Sequence, residues 1–394
     1  MSAGPTPPRA ARAVAFAGAV ATTLSLASAA SARSLEGPLN FLGQYQISSS
    51  TTFGGNPFGG LSGIRRDNRD GTYWAISDDR SEAAPARFYN LALDYSLAGF
   101  SGVSIRSQTY MLRPDGSTFP SRSIDSEGIE LDPTTGRFLY TSEGDRTGTN
   151  VHDPFVREMN ADGSFVREFS LPSYYRATGP EGYGVRANFG FESLTFSPDR
   201  SMVFAATENA LTQDGPLAGP TTGSLCRIIG FDAASGAAVA EYAYHSEPPH
   251  APPTSPGGFV FAGLVEMLAL SPTEFITVER SNTAGSGHSI KLFLTSTSTA
   301  TNFLGSDHIP IGAVAAEKTL LLDLADLGIS LTNFEGITFG RALENGNRSI
   351  VLVSDNNLAN GVTTRFLAFE IVPAPGALTL LGLAGLGACR RRRR

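Results

Sequence analysis

Residues 125–145 read DSEGIELDPTTGRFLYTSEGD. An apolar run with an acid near its start, Glu127, meets turn residues at Thr135-Gly136 and returns as a second apolar run ending on another acid, Glu143. Two short runs rich in aromatic and β-branched residues, separated by turn formers, predict a hairpin. Upstream, Gly60-Leu-Ser-Gly-Ile-Arg65 turns at Asp70-Gly71 into Tyr73-Trp-Ala-Ile-Ser-Asp-Asp-Arg80. Downstream, Phe191-Glu-Ser-Leu-Thr-Phe196 turns at Pro198-Asp199 into Met202-Val-Phe-Ala-Ala-Thr-Glu-Asn209. Leu264-Val-Glu-Met-Leu-Ala-Leu270 turns at Pro272-Thr273 into Phe275-Ile-Thr-Val-Glu-Arg280, and Phe334-Glu-Gly-Ile-Thr-Phe339 turns at Asn345-Gly346 into Ile350-Val-Leu-Val-Ser-Asp-Asn356.

Aligned on Ser62, Glu127, Glu192, Glu266 and Glu335, the five units start 65, 65, 74 and 69 residues apart. In the first three, the step from the first aligned position to the second acid is 16 residues each time; it is 13 in the fourth and 20 in the fifth. Each unit continues into further alternating runs, such as 87–95 and 103–112 in the first or 155–160 and 164–171 in the second. Four short strands per unit make a propeller blade. The last unit is followed by only one more strand, 365–372, and the lone strand 39–47 near the other end can complete it, removing an open sheet edge. The expected fold is therefore an all-β propeller closed by pairing its terminal strands. Five blades is the simplest count, with six open if 313–324 hides a degenerate unit. A sandwich does not call for near-equal intervals, and solenoid repeats are shorter, roughly 20–50 residues.

Inner strands of a propeller run beside its axis, so equivalent positions meet in rings. Glu127, Glu192, Glu266 and Glu335 are expected in one ring. Asp78 with its neighbour Asp79, Glu143, Glu208, Glu279 and Asp355 are expected in a second. Crowded carboxylates raise one another's pKa or demand a cation, and a set of hard oxygen ligands suits calcium or magnesium. The competing reading is a repeated clamp, each acid accepting backbone N–H groups of the next blade. Arg80 and Arg280 follow second-strand acids closely and can pair with them or meet an anionic substrate group.

Other chemistries find little support. There is no G-x-S-x-G nucleophile elbow, no Gly-rich phosphate loop, and no metal spacing among His152, His245, His250, His288 and His308, which fall in expected loops. The proline-rich stretch 247–258 reads as a long loop on one face.

The chain of 394 residues has hydrophobic residues at 41%, charged residues at 17%, 43 Gly and 24 Pro, a globular balance with many turns. Residues 1–32 show Arg9 and Arg12, an apolar alanine-rich core and a small-residue end at Ala30-Ser31-Ala32, the order of a secretory signal. Residues 373–394 carry an apolar segment and then five arginines, Arg390 to Arg394. That tail resembles a PEP-CTERM sorting signal in which Ala374 stands where the motif has glutamate. Without these ends, which hold seven arginines and no acid, the net charge of −7 becomes −14 (−7 − 7). So acidic a body disfavours nucleic acid. Cys226 and Cys389 are the only cysteines, and the second lies in the tail, so no internal disulfide is expected.

Taken together, Leu61-Ser-Gly with Ser77-Asp-Asp-Arg, Asp125-Ser-Glu-Gly-Ile with Ser142-Glu-Gly, Gly190-Phe-Glu-Ser-Leu, Val278-Glu-Arg, and Asn333-Phe-Glu-Gly-Ile with Val353-Ser-Asp-Asn-Asn resemble the phytase-like domain family, described by esterase-like activity of phytase. The resemblance spans about 40–372. It implies a hydrolase of phosphate or carboxylic esters taking a small-molecule substrate. By analogy with calcium-dependent propeller phytases, it implies calcium held by Asp78, Asp79, Glu143, Glu208, Glu279 and Asp355, phosphate contact by Arg80 and Arg280, and water activation by Glu127, Glu192 or Glu335. The expected protein is an exported monomer, secreted or at the cell surface, that meets membranes only through its terminal signals. The alternative is a non-catalytic surface propeller that binds ligands or matrix partners.

Overall fold

The computed structural model describes residues 37–373, together with Met1 and Gly4. The expected signal and sorting segments lie outside the described residues, apart from Met1, Gly4 and Pro373. Among the described residues no helix is long and apolar enough to cross a membrane.

Each repeat closes into a four-stranded antiparallel sheet. Blade 1 runs Leu61–Arg66, Tyr73–Ser77, Arg87–Ser96 and Gly99–Tyr110 from axis to rim; blade 2 runs Ser126–Asp132, Arg137–Ser142, Phe155–Met159 and Phe165–Glu168. Blade 3 is Phe191–Phe196, Met202–Thr207, Leu225–Asp232 and Ala238–His245; blade 4 is Val260–Ala269, Glu274–Thr283, Gly287–Ser296 and Glu317–Asp323. The inner turns fall where the sequence has residues that tolerate positive φ, as at Gly71 (φ 80°) and Gly136 (φ 74°). The last blade takes Asn333–Phe339, Ser349–Asp355 and Thr364–Ile371, and its outer strand is Leu39–Ile47, antiparallel to Thr364–Ile371 from Leu39 opposite Ile371 to Ile47 opposite Thr364. The expected closure of the ring by the chain's two ends is the one observed. Blade count is five, because 313–324 contributes the rim strand of blade 4 and a short 3-10 turn, Leu324–Leu327, instead of a sixth unit.

Packing follows the same division. Apolar side chains on the facing surfaces of neighbouring sheets form five core clusters, one for each blade-to-blade junction, with the innermost strands touching in a closed circle. Burial grades from the axis outward: every residue of Ser349–Asp355 is buried, whereas every residue of the rim strand Glu317–Asp323 is exposed or half-buried. An inner strand buried on both faces reads as a continuous apolar run without alternation, which is why acids in it stand out.

A charged cluster centred on one arginine sits in the middle of this apolar girdle. Arg65, on the inner strand of blade 1 and 3% exposed, donates to Glu130 of blade 2 at 3.0 Å and Glu266 of blade 4 at 3.2 Å. It also donates to the carbonyls of Leu194 in blade 3, Met267 in blade 4 and Ile337 in blade 5. All five blades therefore meet on one guanidinium. It lies three residues below Ser62, roughly 10 Å along the strand, and closes the axis beneath the acidic mouth.

Candidate functional site

Strand register decides which side chains reach the mouth. In each blade one extra residue bulges from the inner strand, and a β-bulge re-aims the side chains around it. Leu61, Ser126, Phe191, Leu264 and Phe334 pair with Ser77, Ser142, Thr207, Glu279 and Ser354, and the register shift follows immediately. The bulge positions are thus Ser62, Glu127, Glu192, Val265 and Glu335. The residues just past the second strand's pairing position are Asp78, Glu143, Glu208, Arg280 and Asp355.

Two expected ring members are corrected by this register, both in blade 4. Glu266 lies one residue beyond the bulge, on the axial level below, paired with Arg65 at 3.2 Å. Glu279 takes the place that Ser or Thr holds in the other blades; it accepts from the Tyr244 hydroxyl at 2.6 Å, the Glu247 amide at 2.8 Å and Lys318. Arg280 stands in the ring where an acid was expected. Asp79 also lines the cavity at the mouth, but its carboxylate is already engaged, accepting from the amides of Glu82, Ala83 and Ala84 and pairing with Arg87 at 2.5 Å. For this residue the clamp is the observed arrangement, though within its own blade. Three of the five histidines lie in strands, not loops: His152, His245 and His288.

The remaining acids converge. Asp78, Glu127, Glu143, Glu192, Glu335 and Asp355 line a cavity of about 430 Å³ that also takes in Asp125, Arg80 and Arg280. Asp125 was quoted in the repeat but not singled out for the site; it enters from the residue before the inner strand's pairing position. Asn333, at the equivalent place in blade 5, donates to Glu335 at 2.9 Å and Asp355 at 3.1 Å. The signal for both was positional, since each lies two residues before a bulge acid.

Charge is unevenly distributed around the mouth. Arg280 bridges Glu208 at 2.7 Å and Glu335 at 2.6 Å. Arg80 pairs with Asp125 at 2.7 Å and with the side chain of Asn188, which itself has φ 62° and lines the cavity. No salt bridge reaches Glu127, Glu143 or Glu192 among the described residues. Burial, then repulsion by neighbouring carboxylates, holds Asp78, Glu127, Glu143 and Glu192 well above the usual carboxylate range. Burial also pushes Glu335 up, to about 8, against the pull of Arg280. Glu143 does clamp as well, accepting the Gly190 amide of blade 3 at 3.0 Å through Oε1.

Two groups of three carboxylates place ligand atoms within 4.8 Å of one another: Asp125, Glu127 and Glu143, and then Glu143, Glu192 and Glu208. Glu208 Oε2 is buried without a hydrogen-bond partner. A buried, unpartnered carboxylate oxygen among other carboxylates is costly, and an oxygen-rich donor set of this kind fits a hard divalent cation.

Comparison with known proteins adds the following. No curated protein matches the chain. Among solved structures it is similar to the Dos1 propeller, at 8% identity and TM-score 0.32, covering 78% of this chain and 67% of that one. It is also similar to an N-acetylgalactosamine deacetylase from F. plautii in complex with blood group B trisaccharide, at 10% identity and TM-score 0.44, covering 85% of this chain and 96% of that one. A family model described as esterase-like activity of phytase matches residues 56–358, the span that carries all five acid-bearing hairpins. The chain belongs to the Phytase-like family.

Proposed function

We propose that the axial cavity hydrolyses an ester of phosphoric or carboxylic acid with calcium held among its carboxylates, and that the protein acts outside the cytoplasm as its terminal segments suggest. The observation that carries this reading is the convergence on one cavity of seven carboxylates besides Asp79 and Glu82 (Asp78, Asp125, Glu127, Glu143, Glu192, Glu335 and Asp355) with two arginines, and an eighth, Glu208, grouped with Glu143 and Glu192 with its Oε2 buried and unpartnered. The family description supports an ester as the substrate class. Calcium bound by Asp125, Glu127, Glu143, Glu192 and Glu208 would supply positive charge toward an anionic oxygen. Arg80, with its side chain 25% exposed at the rim, binds and orients an anionic group. Arg280 is committed to Glu208 and Glu335 and positions them, so the substrate-contact role falls to Arg80. Glu335 moves the proton of the attacking water: it faces the cavity, is fixed by Arg280 and Asn333, and burial sets its carboxyl near 8, close to neutral pH.

The test uses the full chain stripped with a chelator, then assayed on 4-nitrophenyl phosphate and 4-nitrophenyl acetate with and without added calcium. Hydrolysis of at least one ester is expected only with calcium, and Glu335→Gln is expected to slow it by about 100-fold or more, with circular dichroism showing that the variant remains folded. A second reading has its own support in the Glu143–Gly190 clamp: a propeller that binds ligands without catalysis. Calcium binding with neither ester cleaved would establish that second reading in place of the first.

A further inference from the structure

The mouth divides into two halves of different chemistry. On the side of blades 4 and 5, Glu335 has Arg280 and Asn333, and Asp355 has Asn333 at 3.1 Å and the Asn357 amide at 2.6 Å. On the side of blades 2 and 3, Asp125, Glu127, Glu143, Glu192 and Glu208 are each at most 6% exposed. Arg80 offsets Asp125 there, and Arg280 takes one oxygen of Glu208. Glu127, Glu143 and Glu192 have no cationic partner, and Glu208 Oε2 has no partner of any kind among the described residues.

Building on the cation reading above, we infer that this half-ring holds two divalent cations side by side, with Glu143 as the ligand common to both. The two carboxylate triads intersect only at Glu143. Asp125 and Glu127 complete one set of donors from blade 2, while Glu192 and Glu208 complete the other from blade 3. Charge selects two ions over one. Eight carboxylates and two arginines at this mouth sum to −6 (−8 + 2); one divalent cation leaves −4 and two leave −2, so the second ion removes half of the remaining repulsion against an anionic ester. Blade 4 can host no equivalent third site, because Val265 and Arg280 occupy its two ring positions.

The decisive count needs no variant. The chelator-stripped full chain is titrated with calcium and weighed by native mass spectrometry, with two bound ions expected at saturation. Calorimetry on Glu127→Gln and on Glu208→Gln should each retain one calcium, and Glu143→Gln should weaken both sites by at least tenfold, circular dichroism reporting the fold in each case. Any count other than two in the parent, or loss of all binding in both outer variants while they remain folded, overturns the inference. One calcium with ester hydrolysis intact removes the two-ion arrangement and leaves the proposed function standing; no calcium at all removes both.

Discussion

Arg280 is the residue that breaks the symmetry of the repeat. In four blades the position just past the second strand's pairing residue is an acid; in the fourth it is a guanidinium that bridges acids of blades 3 and 5. Removing one partner of a buried ion network leaves charge uncompensated and costs about 3–5 kcal/mol. Arg280→Met should therefore lower the unfolding free energy by that order in urea melts of chelated protein, and added calcium should recover part of it. The sequence held a sign of this exchange. Ser77, Ser142, Thr207 and Ser354 each stand directly before a ring acid, whereas in the fourth repeat Glu279 follows Val278. Aligning on the Ser/Thr-acid dipeptide would have exposed the fourth unit as different. Aligning on the nearest glutamate gave a step of 13, where the structural register, Val265 to Arg280, gives 15 (280 − 265).

At the level of the strand, what was legible and what was not follow from contrast. Turn residues between apolar runs marked nearly every hairpin, and the terminal strand Leu39–Ile47 was read with its observed bounds. A bulge is different. It moves a side chain by one position, and in an inner strand whose faces are both buried, such as Val260–Ala269, there is no polar alternation to reveal the slip. The residue after the bulge is Gly in three blades, at Gly63, Gly128 and Gly336, for a reason of distance. A Cβ on Gly128 would lie 2.6 Å from the Leu194 Cβ of the next blade. Gly128→Ala must push two inner strands apart, and overpacking of a close-packed junction costs about 1–3 kcal/mol. Equilibrium urea unfolding should show that loss, and calcium affinity should fall with it, because Glu127 is the neighbouring residue.

For the molecule as a whole, stability and acidity are joined through its axis. Burial raises Glu266 to about 7 despite Arg65. A carboxyl raised above its unfolded value binds more protons in the native state across the interval between the two, so stability falls as pH climbs from about 4.5 to about 7. For a fully buried group shifted this far the contribution is on the order of 3 kcal/mol. Urea unfolding of chelated protein from pH 4.5 to 8 should show this decline, and Glu266→Gln should have a shallower one. The variant isolates Glu266 from the mouth acids, which slope the same way in both proteins. The ring closure and blade number could be read from repeat spacing, since each unit is one sheet. The guanidinium at the hub could not, because no other repeat has an arginine at the place of Arg65 and its partners in the other blades lie between 65 and 272 residues away.

That hub makes the propeller a flask instead of a pipe. With the guanidinium as its stopper, whatever enters between the acids leaves through the same neck, last in and first out. Under the proposed hydrolysis, a product must vacate before another substrate can settle, and an inert anion lodged in the neck would trap whatever lies beneath it.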